Sequence, residues 1–217
     1  MKTAINGISV IFEDDTVIVV DKPAGLLSQP GRVVHDSVIV RVQEARPEAT
    51  GPMLVHRLDM DTSGLLILAK NRQAHRNLQQ QFEHRNISKR YRAVLEHAPK
   101  GLGGLIKLPL RLDVDNRPSQ IVCQQLGKSA MTVWRRESKD RPTTVLLYPV
   151  TGRTHQLRVH LASALGLGVP ILGDRLYGKK MRTLPHHRMM LHAEMIAFDH
   201  PVTGCRQRLS SDSGFHL

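Results

Sequence analysis

Apolar and polar positions along the chain alternate between two periods. Short runs of strand length are SVIF (9–12), VIVV (17–20), GLLILAK (64–70), Tyr91–Leu95, Ser119–Gln124, Met131–Arg135 and Thr143–Val150, while MMLHAEMIAF (189–198) fits strand or helix by period and the following PVTG favours a strand before a turn. The period changes to that of a helix in three places. Asp36 and Ser37 can cap a helix through Ala45, which Pro47 terminates. Asn71 can cap a second helix through His84, with Ala74, Leu78 and Phe82 on one face. Thr154–Leu165 reads as a third, with leucines at 157, 161 and 165 and Gly166 and Gly168 ending it. Segments 100–104 and 178–188 read as loops. Several strands in succession, without regular strand–helix alternation, predict an α+β chain with one domain over 1–217.

Composition changes this picture in one respect. Apolar residues make up 41% and charged residues 23%, ordinary for a globular protein with its own core. Cys123 and Cys205 form no disulfide framework or C-x-x-C motif. Acidic residues 13–15 break the first apolar segment, and no run approaches bilayer-spanning length, so the expected location is the cytoplasm. The charge is the exception. Thirty-one Lys and Arg against nineteen Asp and Glu give +12, which favours a polyanionic partner, nucleic acid above all. With 4% aromatic residues, a single-strand stacking platform is disfavoured, and a reader of shape and phosphate is favoured.

The segment LVHRLDMDTSGLLIL (54–68) sets Arg57, Asp59 and Asp61 between two apolar runs, where charge is costly unless paired or used. Familiar chemistries fit it poorly. DTSG lacks the D-T-G turn and a second copy, Ser63 is in no G-x-S-x-G elbow, and the histidines show no zinc spacing. No phosphate-binding glycine fingerprint occurs, so no cofactor and no metal are expected.

Three segments remain: HRLDMDTSG (56–64), KRYRAVL (89–95) and GRTHQLRVHL (152–161). Together with DKPAGLLSQPG, ILGDRLYG and MLHAEMIAFDHP, they resemble the RluA family of RNA pseudouridine synthases over about residues 10–210. The resemblance implies one catalytic domain with a mixed, mostly antiparallel sheet flanked by helices, no separate S4-type RNA-binding domain, and no cofactor. It implies isomerisation of uridines in ribosomal RNA, in a tRNA anticodon stem-loop, or in both. Residue by residue, Asp59 matches the required aspartate, and Arg57 the arginine that fills the stack left by the flipped uridine. Tyr91 matches the tyrosine against the target base, and Arg158 the arginine that pairs with the aspartate. His56, Thr62, Arg85, Lys89, Arg90, Arg153 and Leu191 complete the expected substrate contacts, with Lys179, Lys180, Arg182 and Arg188 on the flanking backbone. Asp61 departs from nothing fixed in the family and is expected to face outward. His155 and Gln156 read as helix N-terminal structure. The expected partner is RNA and the expected state a monomer. An RNA-binding module without activity is the alternative from another class, and a cofactor-free hydrolase a third.

Overall fold

The computed structural model describes residues 4–141, 143–178 and 188–215. In chain order the elements are β1 (Ala4–Ile5), β2 (Ile8–Glu13), β3 (Val17–Lys22), α1 (Val38–Ala45), β4 (Ser63–Ala69) and α2 (Arg72–Glu83). They continue as β5 (Ser88–Val94), β6 (Gly103–Lys107), β7 (Leu110–Leu112), β8 (Gln120–Val122), β9 (Met131–Arg136) and β10 (Thr144–Pro149). Helix α3 (Gln156–Ala162), β11 (Leu191–Asp199) and β12 (Arg206–Ser210) complete the set. The chain divides into two compact units, one of residues 1–89 and 192–214, the other of 90–191 and 215–217.

In the first unit the strands run in the order β1-β2-β3-β4-β11, with β12 on β11. All pairs are antiparallel except β4 with β11, so the sheet is mixed. Val17, Val19, Leu65, Ile67 and Phe198 pack with Ala74 and Leu78 of α2 in its core. The helical starts follow the polar signals. Ser37 accepts from Val40 N, and Asn71 from Ala74 N, each satisfying a backbone donor that a first turn leaves open.

Register then gathers three segments at one end of this sheet. Lys22 at the end of β3 pairs with Gly64 at the start of β4, and His192 of β11 pairs with Ser63. Gly64 has φ +111°, and a Cβ there would lie 2.4 Å from Ala193 O, so the close β4–β11 approach requires glycine.

In the second unit β5-β10-β9-β6 form an antiparallel sheet, and β7 pairs β8 separately. Its core includes Leu95, Val145, Leu147, Leu157, Leu161 and Leu191. Two sequence expectations are corrected here. Helix α3 is Gln156–Ala162 rather than 154–165. His155 enters it at φ 52°, and Ser163 leaves it extended, so Leu165 ends 70% exposed instead of continuing the leucine face. Gly166 follows because a Cβ there would meet His160 O at 2.0 Å. The expected loop 100–104 overlaps β6, where a Cβ on Gly103 would lie 2.9 Å from Trp134 O. The glycines thus admit close strand approach to Trp134 rather than marking a turn.

Candidate active site

Asp59 sits in the link between the apolar runs 53–55 and 63–69, on a tight turn that Thr62 closes by donating its N–H to Asp59 O at 3.1 Å. The turn is braced from the D-K-P-A-G loop. Ser28 Oγ donates to Leu58 O (2.8 Å) and accepts from Leu58 N (3.1 Å), both buried. Gly25 N donates to Met60 O at 2.9 Å.

Lys22 completes the brace. Its side chain is fully buried, and Nζ donates to the carbonyls of Pro23 (2.9 Å), Leu26 (2.7 Å) and Met60 (2.9 Å). Burial pushes the ammonium down to about 8, against the pull of Asp59 first and then of Asp61 and Asp21. Asp61, expected to face outward, is half-buried, and its carboxylate acts on the same ammonium.

The other expected residues of the first unit have varied surroundings. Arg57 is exposed, and Thr62 is buried. His56 Nε2 accepts from Ile67 N at 3.1 Å, and its ring lies 4.8 Å from that of Phe82. Burial, with the nearby Lys89 ammonium, pushes the imidazole to about 3 and keeps it neutral. His56 therefore holds β4 as an acceptor. Lys89 is lowered by burial, with Nζ 5.7 Å from the centre of the Phe82 ring. Arg85 follows α2 at φ 60° with its side chain exposed.

In the second unit Tyr91 lies on β5, in register with Leu147, and packs against the core. Arg158 is 3% exposed. Its Nε and Nη2 donate to the two carboxylate oxygens of Asp174 at 2.8 and 2.7 Å. That fork fixes the guanidinium plane as lysine could not. Asp174 also accepts from Leu176 N and Tyr177 N, and the Arg158 guanidinium lies 5.2 Å from the Tyr177 ring. Tyr177 Oη in turn accepts from Gln120 N (2.7 Å) and lies 2.8 Å from His155 Nδ1.

The remaining segments divide between support and surface. Gln156 is buried and fully engaged. It accepts from Thr151 Oγ1 and Arg153 N, and donates to Met131 O and Thr132 Oγ1. This agrees with its reading as helix N-terminal structure. Arg153 is exposed, with Nε donating to Ser129 O. Arg90 is half-buried on β5, and Leu191 is 2% exposed within the core. Arg188 lies 4.9 Å from the Phe215 ring. Lys179, Lys180 and Arg182 fall outside the described residues.

Lys22, Asp174, Tyr177 and His192 had no role in the sequence reading. Their segments, DKPAG, ILGDRLYG and MLHAEM, were conspicuous, yet nothing local assigns a partner. Arg158 was set against Asp59; Asp174, sixteen residues on, is the acceptor unassigned by that reading.

Comparison with known proteins places the chain among relatives. The family described as RNA pseudouridylate synthase matches residues 16–163. The dual-specificity RNA pseudouridine synthase RluA of Escherichia coli O6:H1 is 43% identical over 210 residues, 95% of this chain and 93% of that protein. The enzyme of the same description from Vibrio parahaemolyticus is 44% identical over 200 residues, covering 88% and 78%. Among solved structures, human RNA pseudouridylate synthase domain containing 1 is 26% identical with a TM-score of 0.77, over 97% of this chain and 85% of that one.

Proposed function

The chain belongs to the RNA pseudouridylate synthase family and is an isomerase acting on RNA. From that premise we propose that Asp59 drives uridine isomerisation in structured RNA, in ribosomal RNA, a tRNA anticodon stem-loop, or both. The reaction breaks the bond from ribose C1′ to N1, turns the base, and joins C1′ to C5, while the C5 hydrogen is replaced by one on N1. Cleavage develops positive charge on the sugar, which an adjacent carboxylate offsets, so Asp59 must be ionised when the substrate arrives.

The observation that carries this reading is the Lys22 ammonium, buried against the turn and acting on Asp59 before any other carboxylate.

The target base must leave its stack, at about a few kcal/mol. Arg57, long and exposed, fills the gap. Tyr91 offers its ring to the flipped uracil, and Arg158 serves through the guanidinium plane that Asp174 fixes. Arg85, Arg90 and Arg153 hold phosphates, which position the RNA without choosing the uridine. The whole chain serves as one catalytic domain, acting as a monomer in the cytoplasm. RNA is its only required partner, and no cofactor or metal takes part.

Mapping of pseudouridine after incubation with cellular RNA, in the absence of metal and nucleotide, tests the proposal. Wild type is expected to modify discrete uridines. Asp59→Asn is expected to give no detectable product while remaining folded and retaining RNA affinity. A folded, RNA-binding Asp59→Asn protein that works near the wild-type rate overturns the role of Asp59.

A further inference from the structure

The first unit buries a continuous chain of polar side chains that the proposed chemistry leaves unused. Ser211 Oγ donates to the Asp21 carboxylate. Ser211 Oγ lies 3.1 Å from His192 Nε2, and His192 Nδ1 lies 2.9 Å from Ser63 Oγ. Ser63, His192 and Ser211 are all buried.

The donors and acceptors run in one direction. Ser211 Oγ gives its hydrogen to Asp21, so its oxygen accepts from His192 Nε2. His192 therefore carries its proton on Nε2, which leaves Nδ1 to accept from the Ser63 hydroxyl. A single tautomer satisfies every link.

Such a chain is a poor way to build a core. Polar groups buried in hydrogen bonds return little net stability, and the two residues that flank His192 on β11, Leu191 and Ala193, are apolar and buried. Its ends account for it better. Ser63 directly follows Thr62, whose N–H closes the turn on Asp59, and the parallel register sets His192 beside Ser63. Asp21 directly precedes Lys22, whose ammonium acts on Asp59. Both ends of the chain thus grip the flanks of the Asp59 turn.

We propose that His192 is a positioning residue, whose Nδ1 bond to Ser63 fixes the start of β4 and with it the turn that presents Asp59. This rests on the reading of Asp59 as the reacting carboxylate. A carboxylate displaced by a fraction of an ångström loses turnover rather than RNA affinity, because phosphate contacts lie elsewhere.

Three substitutions separate positioning from mere packing. His192→Asn sets an amide near the Nδ1 position and keeps the Ser63 link. His192→Gln reaches the Nε2 position and keeps the Ser211 link. His192→Leu keeps neither. For His192→Leu, kcat is expected to fall about 10- to 100-fold with KM for the RNA within about twofold. His192→Asn restores kcat to within about threefold of wild type, while His192→Gln recovers Tm but not kcat, on the same geometric footing.

Ser63→Ala should lower kcat at nearly unchanged Tm, and should add nothing in the His192→Leu background. If His192→Leu fails to fold, Ser63→Ala carries the test. Asp59→Asn is measured alongside. Unchanged kcat per folded molecule in His192→Leu or Ser63→Ala, or equal rescue by Asn and Gln, overturns the positioning role while Asp59→Asn stays inactive. An active Asp59→Asn overturns the functional reading itself.

Discussion

Lys22 and Arg158 are both cations withdrawn from water, and the two units hold them by opposite means. Lys22 donates to three neutral carbonyls, which satisfy its hydrogen bonds without cancelling its charge. Its desolvation penalty remains, and the ammonium falls to about 8. Arg158 forks onto a carboxylate nearly as buried as itself, so charge and geometry are matched together. A cation on neutral acceptors keeps a field that acts on neighbouring carboxylates. One on a carboxylate keeps chiefly its orientation. The first arrangement suits the electrostatics of Asp59, and the second the aim of a guanidinium plane.

The sharpest way to break this comparison is to strip Arg158 of its partner. Asp174→Ala removes both oxygens of the fork from a buried guanidinium and is expected to cost about 3–5 kcal/mol of stability, read by denaturant unfolding. A loss below about 1 kcal/mol would show that the pair is no more than a surface ion pair in effect.

Lys22→Met keeps the volume but leaves three carbonyls without their donor, for an expected loss of about 2 kcal/mol. Turnover should fall further than stability explains, because the turn that carries Asp59 loses its buried cation. Acidity separates the two cations more finely. Below pH 8 folded and unfolded chains both keep the Lys22 proton, and the residue adds no pH dependence. Between about 8 and the ordinary 10.5 the unfolded chain binds more protons, so this group makes stability rise with pH. Turnover should decline over the same range as the ammonium is lost, and Lys22→Met should lack that descending limb. Arg158 titrates nowhere in this window. Stability and kcat falling together above pH 8, in both proteins, would assign the limb to another group.

The smallest effect concerns the residues proposed to hold phosphates. Replacing Arg85 and Arg90 by alanine should reduce the log–log salt slope of hairpin binding by about 0.7 per lost contact. The uridine chosen should not change. A shift in the modified position would mean that these arginines select as well as hold.

Much of this protein was legible in its sequence. Ser37 and Asn71 marked the starts of α1 and α2, since a cap bonds to backbone within three residues. The strands β3 and β4 announced themselves by unbroken apolar runs, and HRLDMDTSG with GRTHQLR identified the family. Local signals failed where a distant neighbour decided the outcome. Helix α3 stops before its third leucine because Gly166 lies against His160 O, and Gly103 is in a strand because Trp134 is close.

The supports of the site were hidden for the same reason. Lys22 meets Met60 across 38 residues, Arg158 meets Asp174 across 16, and His192 meets Ser63 across 129. Asp174, His192 and Ser211 even lie beyond the residues 16–163 that match the family. Periodicity and capping act within a turn or two of the chain, so the sequence alone determined most of the elements and the family. Which buried cation meets neutral carbonyls, and which meets a carboxylate, depends on what the fold brings within 3 Å, and only the tertiary structure decides that.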